Sequence, residues 1–138
     1  MTQFEMRQAF KLTFEIHELP KMPNQLLGSH WAIRSKHAKK WKLLVQRELI
    51  KDDLIFNPPR LSNAKLTLTR FAAGRGPDYD NLALSFKPVI DALVSSKVIV
   101  DDTMAVIGKS DYRFEKGRRN EGKIKVEIEE IVPSGVAG

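Results

Sequence analysis

The stretch GPDYDNLALSFKPVIDALVSSKVIVDDTMAV (residues 76–106) decides how the chain is read. It gathers Asp78, Asp80, Asp101 and Asp102 around an apolar run, Val89, Ile90, Ala92, Leu93 and Val94, that suits a buried helix face. One residue separates Asp78 from Asp80, so in an extended or turn conformation both side chains leave the same side of the backbone. Asn81 stands at a helix start. Proline is tolerated in the first turn of a helix and breaks its interior. The spacing therefore predicts a first helical turn ending near Ser85 and a main helix with Pro88 in its opening turn. A short strand through Val98, Ile99 and Val100, running back along that helix, would bring Asp102 beside Asp78 and Asp80. By helical phase Asp91 faces the other way and reads as a structural hydrogen-bonding group.

Three carboxylates converging from a turn and a strand end suit a hard divalent cation such as magnesium, which prefers oxygen ligands and keeps several waters. Each pair has a plainer reading as well. Asp-x-Asp-Asn marks turns and helix N-caps, and Asp-Asp commonly ends a strand for solvation alone. Together they favour a cation, because closely placed carboxylates repel unless positive charge compensates them.

With 138 residues and 42% hydrophobic content, the chain can build one compact core and is too short for two ordinary domains. The expected organisation is a single domain over residues 1–132 and a flexible tail over 133–138. Lysine and arginine total 23 against 17 acidic residues, a formal net charge of +6. An acidic cluster inside a basic chain suits action on a polyanion, nucleic acid first, although many cationic proteins of this size are merely soluble. The absence of cysteine excludes disulfides, thiolate catalysis and cysteine-ligated metal centres, and fits the cytoplasm. No apolar run approaches the roughly 18 residues that cross a bilayer. Residues 1–8 lack the apolar core of a secretory signal. The expectation is a cytoplasmic protein with no membrane partner.

Outward from the central stretch, Phe10, Leu12, Phe14 and Ile16 alternate with polar residues as a strand with one buried face. Residues 19–29, with Pro20, Pro23, Asn24 and Gly28, read as an ordered loop carrying Lys21. Ala38, Trp41, Leu44, Val45 and Leu49 predict an amphipathic helix over 35–54. Its other face is basic, with Arg34, Lys36, Lys39, Lys40 and Lys42 near the start. Such a cluster opposes the helix dipole, so it is either a phosphate contact or a solvated lysine face. Leu66 and Leu68 mark a second strand ending near Ala72 or Ala73. Gly74, Arg75, Gly76 and Pro77 then release the chain, without a phosphate-loop signature. The last two strands, 109–115 and 123–129, read as partners joined by an exposed basic hairpin loop containing Arg118 and Arg119. The fold class is α+β, a mixed layer with a small mixed sheet of about four to five strands and two main helices packed on it.

PDYDNL, then KPVIDAL, then VDD before a short apolar strand is similar to the signature of the RusA family of Holliday junction resolvases, endodeoxyribonucleases common in phages and prophages. The Leu-Pro-x-x-Pro-Asn exit at Leu19 to Asn24 resembles the family's N-terminal end. The resemblance implies that Asp78, Asp80 and Asp102 are the catalytic carboxylates that bind magnesium, with manganese as a substitute. It implies a catalytic role for Lys87, which keeps a four-residue separation from Asp91. The family pattern runs almost directly from Asn-Leu into the lysine, whereas this chain carries about three extra residues there. Asp101 would orient Asp102, and Asn81 would cap the helix while fixing Asp80. The implied activity is magnesium-dependent phosphodiester hydrolysis at a four-way DNA junction by a homodimer cutting two strands symmetrically, with no small-molecule cofactor. Lys21, Arg34, Lys36, Lys39, Lys40, Arg75, Arg118 and Arg119 would contact the DNA backbone. Flaps, forks or binding without cutting are the alternatives on the same fold.

Overall fold

The computed structural model describes residues 9–28 and 30–132; the expected tail at 133–138 and the segment 1–8 lie outside the described residues. In chain order the elements are β1 (Lys11–Ile16), α1 (Pro23–Leu26), α2 (Trp31–Lys51), β2 (Ala64–Ala72), α3 (Tyr79–Ser85), α4 (Lys87–Ser95), α5 (Met104–Ile107), β3 (Asp111–Lys116) and β4 (Lys123–Glu130). The strands form one mixed sheet in the order β1-β4-β2-β3. β4 runs antiparallel to both β1 and β2, and β2 runs parallel to β3. This is an α+β fold, as the alternation of strand and helix patterns implies.

Strand periodicity sets the two faces. The register lines up Leu12, Ile128 and Leu66 in one row, and Phe14, Val126, Leu68 and Tyr112 in the next. Onto this face α2 lays Trp41, Val45 and Leu49, and α4 lays Val89, Ile90 and Leu93, giving one cluster of buried residues. The opposite face is polar. There Lys11 pairs with Glu129 at 3.7 Å and Lys123 with Glu15 at 3.1 Å, and the Lys123 ammonium lies 5.1 Å from the Phe71 ring centroid. Among the described residues no helix is long and apolar enough to cross a membrane.

Four local expectations are corrected. First, β3 and β4 are not a hairpin, because β2 lies between them. Ile124, Val126 and Ile128 are almost fully buried, so β4 is satisfied with a strand on each side. β3 carries Asp111, Arg113 and Glu115 and takes the sheet edge, where charges are tolerated. The 117–122 loop therefore crosses the end of β2, with the Gly117 N–H donating to the Ala72 carbonyl at 2.9 Å.

Second, α2 starts four residues before the expected Ser35 and stops three before Leu54. The His30 imidazole caps it, Nδ1 accepting the Ala32 N–H at 3.2 Å. At the other end Asp53 adopts φ 58°. The Leu54 N–H reaches the Leu49 carbonyl and the Asp53 N–H reaches Ile50, a Schellman stop built without glycine. Third, residues 98–100 form no strand of the sheet. Ile99 makes one isolated parallel bridge to Leu61, and the Leu61 backbone bonds to both the Val98 carbonyl and the Val100 N–H. Fourth, the expected loop at 19–29 holds one helical turn, α1.

Candidate functional site

The chain leaves β2 through Gly74, whose φ of 86° suits glycine. It then passes Gly76, where a Cβ would stand 2.8 Å from the Phe114 ring. This close approach brings Asp78 to the start of α3 as its N-cap. Asp78 Oδ1 accepts the Asn81 N–H at 2.9 Å and Oδ2 accepts the Asn81 side-chain N–H at 3.1 Å. Asn81 thus fixes Asp78 rather than Asp80, and Asp78 is the cap, the reverse of the expected assignment. Asp80 is exposed in the first turn of α3 and makes no hydrogen bond or ion pair among the described residues. A carboxylate there is favoured by the helix dipole.

An aromatic wall seats α3 on the sheet. The Tyr79 ring meets Tyr112 edge-on at 5.9 Å, Tyr112 stacks on buried Phe86 at 6.0 Å, and the Tyr79 hydroxyl makes a long 3.5 Å bond to the Ser110 carbonyl. Phe86 ends α3 and begins α4, with Pro88 in the first turn of α4. The helix break falls where proline chemistry requires it.

Lys87 opens α4 at this break. Its ammonium donates to Asp91 Oδ1 at 2.9 Å and to Asp102 Oδ2 at 3.0 Å. Asp91 therefore shares the Lys87 face, as residues four apart on a helix do, and does not point away as expected. Asp102 is held in turn by Asp101, whose carboxylate accepts the Asp102 N–H at 2.8 Å. The bonds from Asp91 and then Asp102 hold the Lys87 ammonium above the usual lysine range, and the same ammonium holds Asp102 below the usual carboxylate range. Burial pushes the Tyr112 phenol up, partly offset by its hydrogen bond with Ser110.

Among the described residues, no three histidine or acidic side chains are grouped to hold a metal ion. Asp78, Asp80 and Asp102 are not assembled as a ligand set in this arrangement: Asp78 is committed to capping, and Asp102 receives its positive charge from Lys87. The donor chemistry nevertheless suits a hard cation. Every donor is a carboxylate oxygen, Asp80 is unengaged, and magnesium asks for only one or two protein carboxylates when waters and phosphate oxygens complete its shell.

Beside this pair lies a cleft of about 430 Å³ whose lining includes Lys21, Arg34, Lys87 and Asp91 among the apolar Pro23, Leu26, Leu27 and Leu84. Lys21 is positioned from two directions. Buried Arg70 donates from Nη1 to the Pro20 carbonyl at 2.8 Å, and His37 Nε2 accepts the Lys21 backbone N–H at 3.1 Å. Burial, followed by the charges of Lys21 and Lys40, lowers the His37 pKa. A lone histidine in a lysine-rich helix and an arginine in a strand carry no motif, so neither role was legible.

The other expected DNA contacts are dispersed. Lys36 and Lys40 line an adjoining depression of about 590 Å³ that shares Lys21 and His37 with the cleft, and Lys40 is paired with Glu18. Lys39 borders a third hollow beside Pro88 and Asp91. Arg75, Arg118 and Arg119 are exposed on the loops after β2 and β3. No protein-family model matches the chain, and no curated protein matches it either.

Proposed function

We propose that the protein is a magnesium-dependent, structure-specific endodeoxyribonuclease of the RusA type that resolves Holliday junctions as a homodimer. The observation that carries the reading is the Lys87–Asp102 pair, set beside a cleft that Lys21 and Arg34 make cationic. An unengaged carboxylate, Asp80, begins the neighbouring helix. The RusA-like spacing of the aspartates and the lysine supports the same reading.

In this reading Asp80 and Asp102, joined by Asp78, hold magnesium, with manganese as a substitute; the cation, when bound, supplies Lewis acidity at the scissile phosphate and eases deprotonation of water. The chain's own groups do the rest. Lys21 and Arg34 bind and orient the phosphodiester backbone, which needs no base contact and gives salt-dependent affinity. Lys87 exchanges its bond to Asp102 for the phosphate, keeps Asp91 as partner, and places positive charge where negative charge develops. Asp101 holds the Asp102 backbone in place. A two-fold junction matches a two-fold protein, so each protomer would cut one strand.

A second reading, a branched-DNA-binding protein of the same fold that does not cut, draws on the absence of a preassembled carboxylate set among the described residues. A panel of four-way junction, flap, fork and linear duplex, each incubated with magnesium, separates the two. Paired symmetric nicks confined to the junction support resolution. Nicks at flaps or forks move the natural substrate, and tight junction binding without any nick supports the binding protein.

A further inference from the structure

Folding gains nothing by leaving an indole in water, yet Trp31 is 67% exposed at the head of α2. By helical spacing it lies on the face of Arg34 and Ala38, three and seven residues on, and both of those line the cleft beside Lys87. Trp31 therefore lies on the helix face that borders the cleft. The neighbouring His30 ring lies 5.5 Å away between centroids, tilted by 36°. His30 is itself held, because its Nδ1 accepts the Ala32 N–H. The result is a supported aromatic surface next to a cationic channel.

We propose that Trp31, backed by His30, is a stacking platform for an unpaired nucleobase of the strand whose phosphates run past Lys21 and Arg34. This rests on the nucleic-acid reading above and adds a site for the bases that a branch point leaves unstacked. The charge balance selects the occupant. Lys21, Arg34 and Lys87 line the cleft, and Asp91 and Asp102 both hold Lys87. Pro23, Leu26, Leu27 and Leu84 make the rest of the lining largely apolar, so a polyanion carrying flat apolar rings fits. A second copy docked on this face would bring like charges together. Base stacking on aromatic side chains is sequence-tolerant, as a junction-reading protein requires.

The chain has two tryptophans, and Trp41 is buried at 1% exposure, so quenching by an added strand reports Trp31. The full chain is titrated with a short oligothymidylate and with an abasic phosphodiester of equal length, each end-labelled so that binding is followed independently. Oligothymidylate is expected to quench the exposed indole, and the abasic strand to bind without quenching. Trp31→Ala weakens oligothymidylate binding roughly 5- to 100-fold and leaves abasic binding unchanged, while Trp31→Tyr retains most of the affinity. Equal effects of both strands, or binding with no change in emission, overturn the platform and leave the nucleic-acid reading standing. Emission that shifts with protein concentration instead assigns the face to a second copy and overturns it as well. If neither strand binds, the platform fails, and binding of a four-way junction measured alongside decides the nucleic-acid reading.

Discussion

At the scale of single residues, Lys87 separates a catalytic role from a structural one. Its side chain is 57% exposed, and exposed ion pairs contribute about 0–1 kcal/mol. Lys87→Met is therefore expected to leave the thermal midpoint within a few degrees of the native value while lowering junction cleavage by about a hundredfold or more. Unfolding in step with lost activity would make the lysine structural. His37 gives a pH test. Its folded pKa lies below the ordinary value near 6.5, so its contribution to stability is complete above that value and is lost as pH falls through the folded pKa. Protonating Nε2 removes the acceptor for the Lys21 N–H. The Lys21 amide resonance is expected to titrate together with the His37 ring, with a midpoint below about 6.5. A midpoint above that, or a Lys21 amide indifferent to it, contradicts the clamp. Lys87 is singled out by the resemblance alone, and its bond to Asp91 was missed because the sequence reading sets Asp91 on the other face, whereas residues four apart on a helix share one. The His37 and Arg70 roles were not legible, because their partners lie 16 and 50 residues away.

At the scale of elements, what the sequence disclosed follows local chemistry. The break between α3 and α4 was legible because proline can occupy only a first turn. The strand faces were legible because alternation in Leu12–Ile16 and Ile124–Ile128 has one reading. The helix ends were not: α2 and α4 both stop without glycine, with Asp53 and Lys97 in the left-handed region at φ 58° and 63°. Behind Lys97, the Val98 N–H bonds to the Leu93 carbonyl and the Lys97 N–H to Val94, so the chain turns sharply and buries Val98 where a strand was expected. A side chain in that region costs about 1–2 kcal/mol, partly offset by the greater unfolded freedom of glycine. Lys97→Gly is accordingly expected to stabilise the fold by about 1 kcal/mol and raise the thermal midpoint by about 3–5 °C. A lower midpoint would mean that the lysine is held by something other than the turn. The β3–β4 pairing misled for a different reason: adjacency in sequence favours a hairpin, and only the burial of both flanks of β4 places β2 between them.

At the scale of the whole molecule, one face of the sheet carries the helices, the cleft and the Lys87–Asp102 pair, and the other carries a lattice of opposed charges. Nucleic acid should therefore engage one side. The slope of log affinity against log salt for a branched DNA is expected to fall by about one for Lys21→Ala and again for Arg34→Ala, with Lys65→Ala on the open sheet face leaving it unchanged. Equal effects from all three would describe a diffuse cation rather than a docking face. The central claim is a magnesium-dependent centre at Asp80 and Asp102, and the most direct measurement is cleavage of a synthetic mobile four-way DNA junction by the native protein and by Asp80→Asn, with and without magnesium. The account predicts paired symmetric nicks from the native protein that require magnesium and disappear in the variant, while junction binding persists in both. Junction binding with no cleavage by the native protein, or magnesium-dependent cleavage undiminished in Asp80→Asn, would contradict it.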